Sequence, residues 1–234
     1  MKYINYILFL LAMQSTTSCH KSSALVSSVS INFINAIPAS NGIIPVLGTQ
    51  AIQYYSTARE VYYQQGQLYS PISGVIPLTI IQISDTTVPI FKGSLTVRAG
   101  GIYSFYLAGD TIKPETMLLQ DTIPVYYDSS AGVRFINLSP DSHPISVNIQ
   151  GNLSSQTEFS SLGFNQISSF KKYLANSTII SGNYTFEIRD QASNTVLTTF
   201  IWGYTLFKNN TLVISGSVNP TSTTPITVFQ VNNF

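Results

Sequence analysis

The chain has 234 residues, a formal net charge of +1 and only 9% charged residues, against 44% hydrophobic and 12% aromatic. Near-neutrality leaves no basic field to hold nucleic acid, and a hydrophobic chain of low charge is not a disordered one. Its polar surface must come from Ser, Thr, Asn and Gln, a palette that suits sheet faces better than soluble helices.

The first element in chain order is a leader. Lys2 precedes an apolar run from Tyr6 to Met13, and small residues follow to Ser18. This pattern predicts a secretory signal peptide over 1–18, the run being too short for the roughly 20 residues of a membrane span. Cys19 is the only cysteine, so no intrachain disulfide forms. Its place after "TTS" resembles a bacterial lipoprotein signal, with Thr16 where an aliphatic residue is usual. Lipidated Cys19 and a polar tether to residue 27 would then anchor the chain in the cell envelope, as an outer-membrane lipoprotein. Plain secretion with a spare thiol is the alternative.

Beyond the tether the sequence repeats itself. Phe33 and Phe135, Asn35 and Asn137, and Pro38 and Pro140 are each 102 residues apart. Asp85 with Asp190 and Gly109 with Gly216 follow in order at slightly longer spacing, the drift that loop insertions produce. The pattern predicts an internal duplication, with units at 28–127 and 128–234. Short β-rich runs such as "VRFIN", "ISVNI", "YTFEI" and "TLVIS" are separated by turn segments such as "SPDSHP" and "SGN". Tyr184, Phe186 and Ile188 alternate with Thr185, Glu187 and Arg189. The expected fold is all-β: two tandem immunoglobulin-like β-sandwich domains, placed end to end by the short linker "VYYDSSAG". An outer-membrane barrel is the rival, but Phe234 is out of phase with the apolar face of the last strand.

The phrase "VRFINLSPDS" carries a resemblance. Arg134, Phe135, Ile136, Asn137, Ser139, Pro140 and Asp141 are similar to the hallmark of domain-of-unknown-function family 4397, common in envelope lipoproteins of Gram-negative bacteria. "SGNYTFEIRD" and "GGIYSFYLAGD" are similar to later family phrases. The first unit keeps Phe33, Asn35 and Pro38 but carries Asn32, Ile37 and Ala39 in place of Arg, Ser and Asp. The resemblance implies a β-sandwich lipoprotein, often in tandem, and supplies no activity. Physically the motif reads as scaffold. Phe135 is a core residue, Pro140-Asp141 starts a turn, and Asn137 and Asp141 satisfy backbone donors there. Arg134 pairs with Asp141 or a neighbouring carboxylate.

Catalytic chemistry is sparse. His20 adjoins the anchor and His143 reads as an exposed turn residue, so no enzyme is expected, and no metal or other cofactor. "QYYSTAREVYYQQGQLYS" concentrates Tyr54, Tyr55, Tyr62, Tyr63 and Tyr69, rings suited to stacking on sugars or to protein contacts. One exposed patch would favour binding, and dispersed rings a structural role. Thr86, Thr111 and Thr122 follow aspartates in phrases that resemble glycan-attachment sites of some bacterial exported proteins. The expected function is a non-catalytic module that binds glycan or an envelope protein. The alternative is an accessory component of an envelope assembly facing the periplasm.

Overall fold

The computed structural model describes residues 27–38, 40–50, 58–153, 155–174 and 183–233. The leader, Cys19, Tyr54 and Tyr55 lie outside the described residues, so the expectations attached to them do too. Among the described residues the regular structure is all β. Strands β1 (Ser30–Asn35), β2 (Ile43–Leu47), β3 (Gln65–Tyr69), β4 (Gly74–Gln82), β5 (Pro89–Val97), β6 (Ile102–Gly109) and β7 (Pro114–Gln120) form two sheets, ordered β3-β1-β6-β7 and β2-β4-β5.

Strands β8 (Ser130–Asn137), β9 (Ile145–Ile149), β10 (Thr157–Leu162), β11 (Gln166–Ile167), β12 (Lys171–Leu174), β13 (Asn183–Asp190), β14 (Val196–Gly203), β15 (Asn209–Ser215) and β16 (Thr227–Asn233) form two more. Their orders are β11-β8-β15-β16, with β12 also on β8, and β10-β9-β13-β14.

Alternation builds a core inside each pair of sheets. Ile31 and Phe33 of β1 and Phe105 and Leu107 of β6 meet Leu78, Ile80 and Leu95 of the facing sheet. Phe135, Leu212 and Ile214 likewise meet Val147, Phe186, Ile188 and Trp202. Edge-to-face rings lock both cores: Phe33 lies 5.0 Å from Tyr69, and Phe135 5.1 Å from Phe186.

The strand order departs from the immunoglobulin scheme, in which the first strand lies beside the second and the third beside the sixth. Here β1 sits inside its sheet, parallel to β6, and β8 sits likewise parallel to β15. The reason is composition. These strands carry apolar residues on both faces, such as Phe33 with Ile34 and Phe135 with Ile136, so the middle of a sheet covered on both sides is the place that buries them. Every residue of β8 and β15 is buried, whereas β13 and β14 alternate.

The second face of those strands decides how the two pairs meet. Ile34, Ala36, Tyr106 and Ala108 form one apolar cluster with Ile136, Leu138, Val213, Phe229 and Val231. The end-to-end arrangement expected from the short linker therefore does not occur; the pairs stack sheet on sheet through this seam. Hiding each large apolar side chain there contributes about 1.5–3 kcal/mol, which a polar end-on contact would forgo.

Candidate functional site

The two motif asparagines, Asn35 and Asn137, are structural pins that make the same bonds. Asn137 Nδ2 donates to Ser142 Oγ (2.9 Å) and Leu162 O (3.0 Å), and its Oδ1 accepts from Ser139 N (3.0 Å). Asn35 Nδ2 donates to Ser40 Oγ (2.8 Å) and Val61 O (3.0 Å), and its Oδ1 accepts from Ile37 N (3.1 Å). Each amide ties the end of its strand to the following turn and to a distant segment. Phe135 lies in the core, and Pro140 and Asp141 occupy the turn. Asp141 accepts from Ser217 Oγ (2.5 Å) and Val218 N (3.1 Å). Partial burial raises its pKa, but these bonds outweigh it and hold the carboxyl below the usual value.

Arg134 does not pair with Asp141, and it is not at the surface. Its Nη2 donates to Asp121 Oδ1 at 2.5 Å across the seam, with side-chain exposures of 6% and 1%. Its Nε donates to Thr211 Oγ1 (2.8 Å), and its guanidinium lies 4.4 Å from the centre of the Phe170 ring. Ser104 Oγ donates to the other Asp121 oxygen at 2.6 Å. The ion pair thus closes one end of the seam as a buried, hydrogen-bonded unit. Burial raises the pKa of nearby Tyr106.

Another part of the seam is open. A cleft of about 580 Å³ lies between β1 and β3 on one side and β15, β16 and the residues before β15 on the other. Asn32, Gly66 and Leu68 face Asn209, Val231 and Asn233 across the seam, Asn210, Gln230 and Asn232 line the cleft from the other face of β15 and β16, and Thr205 and Lys208 stand at the margin. One buried ring orients much of this wall. Trp202 Nε1 is a donor only, so its 2.9 Å bond fixes Asn210 Oδ1 as the acceptor. Asn210 Nδ2 then donates to Asn232 Oδ1 (2.9 Å), which also accepts from Gln230 Nε2 (3.1 Å). The Asn232 amide nitrogen is left as the uncommitted end of the relay. Sequence reasoning missed this cleft because its residues span positions 32 to 233 and none stands out locally.

The other expected sites are scattered. Tyr62 is exposed and donates to Glu60. Tyr63 reaches across the seam, its hydroxyl 3.0 Å from Ser215 Oγ. Tyr69 packs on Phe33 and donates to Arg59 O (2.9 Å); burial pushes its pKa up to about 12, against an opposing effect of Arg59. These three do not form one patch. Thr86 and Thr122 are exposed and Thr111 is half-buried, all outside strands. Their aspartates differ: Asp85 and Asp110 accept backbone N–H bonds within their own turns, while Asp121 is the buried partner of Arg134.

His143 is 79% exposed on its side chain, with Nδ1 3.1 Å from Asp190 Oδ2. Ser193 Oγ donates to the other Asp190 oxygen (2.9 Å), so the carboxylate lies between hydroxyl and imidazole, not behind the imidazole as a triad requires. The Ser193 N–H and hydroxyl, with a smaller effect from His143, lower the Asp190 pKa. No group of three metal-ligating side chains occurs among the described residues.

An all-β sandwich with a seam closed at one end and open elsewhere is the class of molecule the geometry defines. The chain belongs to the family described as domain of unknown function (DUF4397), whose model matches residues 29–148. No curated protein matches it. Among solved structures it is similar to one titled the crystal structure of CBMbc (family CBM26) from Eubacterium rectale Amy13K in complex with maltoheptaose. The alignment covers 87% of this chain and 97% of that one, at 9% identity and a TM-score of 0.27. Similarity that loose carries no weight for fold or ligand.

Proposed function

We propose that this is a lipid-anchored cell-envelope protein, two tandem copies of one sandwich at 28–127 and 128–234, acting as a non-catalytic binding module for a glycan or an envelope protein. The observation that carries the binding reading is the amide-lined cleft in the seam. Amide side chains both donate and accept, which suits hydroxylated or peptide ligands better than apolar ones. The anchor reading rests on the leader and on Cys19 as the only cysteine, at the position a lipid would need. Thr86, Thr111 and Thr122 are proposed as glycan carriers on the same sequence grounds; mass spectra of their peptides without added hexose would end that part.

The test is binding of the purified chain to glycan arrays and to extracted envelope proteins. The expected result is saturable binding of at least one class, and binding to neither would overturn the reading. Fractionation of Cys19→Ala cells tests the anchor, with loss from the membrane fraction expected. One observation favours an accessory periplasmic component as the second reading. The three described tyrosines are dispersed, and Tyr63 serves the seam rather than the surface. Protease treatment of intact cells separates the two: shaving supports surface contact, and protection until the outer membrane is broken supports the accessory role.

A further inference from the structure

The closed end of the seam and its open cleft occupy equivalent positions in the two copies. Asn32 pairs with Ser104 across β1 and β6, as Arg134 pairs with Thr211 across β8 and β15. Leu68 lies opposite Asn32 on β3, and Phe170, one residue before the Lys171–Val133 pair, lies opposite Arg134. Ser104 pairs with Leu119, and Thr211 with Val231. Two residues further on stand Asp121 and Asn233. The hydrogen bonds repeat the correspondence: Ser104 Oγ donates to Asp121 and Thr211 Oγ1 donates to Asn233, each at 2.6 Å. Where one position holds Arg134, Phe170 and Asp121, its equivalent holds Asn32, Leu68 and Asn233, and the two adjoin through Thr211, which accepts from Arg134 Nε and donates to Asn233. The second set is shorter and uncharged, and the space it leaves is the cleft.

The walls of that space are rich in donors. The Asn32 side chain makes no hydrogen bond among the described residues, Asn233 accepts from Thr211 through Oδ1 and keeps its amide nitrogen uncommitted, and Lys208 takes part in none of the described ion pairs. No carboxylate lines the cleft, and Lys208 is its one cation among the described residues. Several amides beside one ammonium match a chain of hydroxyls carrying one carboxylate. A phosphorylated ligand would call for a cluster of cations or an arginine fork. Leu68 adds apolar surface for the C–H face of a sugar ring, and the volume lies within the roughly 300–1,000 Å³ of small-ligand sites.

We infer that the cleft is a binding site for an acidic oligosaccharide, with Lys208 donating to its carboxylate and Asn32 and Asn233 to its hydroxyls. The inference rests on the binding reading above and names its ligand class.

The experiment is calorimetric titration of the full chain with uronic-acid oligosaccharides, each paired with its carboxyl-reduced form. The acid is expected to bind about tenfold more tightly than its reduced partner. Lys208→Gln, at an exposed position, is expected to erase that preference. Asn32→Arg with Asn233→Asp rebuilds the closed end in the cleft and is expected to abolish binding of both forms, with the thermal melt still cooperative. Equal affinity for acid and reduced sugars, a preference that survives Lys208→Gln, or sugar binding by the cooperatively folded closed variant would each overturn the inference. Neutral glycan binding without acid preference defeats this inference alone; failure to bind any glycan or envelope protein defeats the binding reading with it.

Discussion

At the closed end of the seam, Arg134 crosses from one pair of sheets to Asp121 of the other, over the Phe170 ring. In the cleft the corresponding residues are Asn32, Asn233 and Leu68, and solvent-sized space separates the walls. Same strands, same register and the same supporting hydroxyl bonds lead to a lock in one place and a cleft in the other. The difference is side-chain length and charge at three positions. Two similar pairs of sheets packed face to face present each contact twice, and here one contact is locked while its equivalent is open.

The largest expected effect is on the lock. Arg134→Ala leaves the Asp121 carboxylate buried without its cation and should cost about 3–5 kcal/mol, read from denaturant unfolding. Asn32→Ala, at the equivalent place in the cleft, should stay within about 0.5 kcal/mol. Similar losses for both would erase the contrast.

Next come the pins, Asn35 and Asn137, which make matching bonds in the two pairs of sheets. Asn35→Ala and Asn137→Ala each strip three hydrogen bonds from buried partners and should each cost about 2–3 kcal/mol. A large loss in one copy alone would mean that the copies are less alike than their bonds. A smaller loss, about 1–2 kcal/mol, is expected for Trp202→Phe, which leaves Asn210 Oδ1 without its donor.

The smallest effect is at high pH. Burial raises the Tyr69 hydroxyl from near 10 in the unfolded chain to about 12 in the folded one. Its contribution to stability is therefore whole below pH 10 and is lost as the pH climbs through 12. Stability profiles over that range should be flatter for Tyr69→Phe than for the wild type.

Much of the scaffold was legible in the sequence. The spacing of Phe33, Asn35 and Pro38 to their partners marks equivalent strand ends, and Asn137 does satisfy a turn donor. What misled was the linker. A short connection argues for end-to-end domains only if the outward faces are polar, and the apolar neighbours Phe33-Ile34 and Phe135-Ile136 already said otherwise. Such doublets mark strands buried on both faces. The partner of Arg134 was hidden because Asp121 lies across the unit boundary, in a phrase that reads locally as turn chemistry. The cleft was hidden because asparagines and glutamines are everywhere in this chain, and only the fold selects the few that share a wall.

A double-mutant cycle tests the contrast most directly. Arg134→Ala, Asp121→Ala and their combination measure one coupling energy, and Asn32→Ala, Asn233→Ala and their combination measure the other. The account predicts a coupling of about 2–3 kcal/mol for Arg134 with Asp121 and near zero for Asn32 with Asn233. Equal couplings would contradict a seam locked at one place and open beside it.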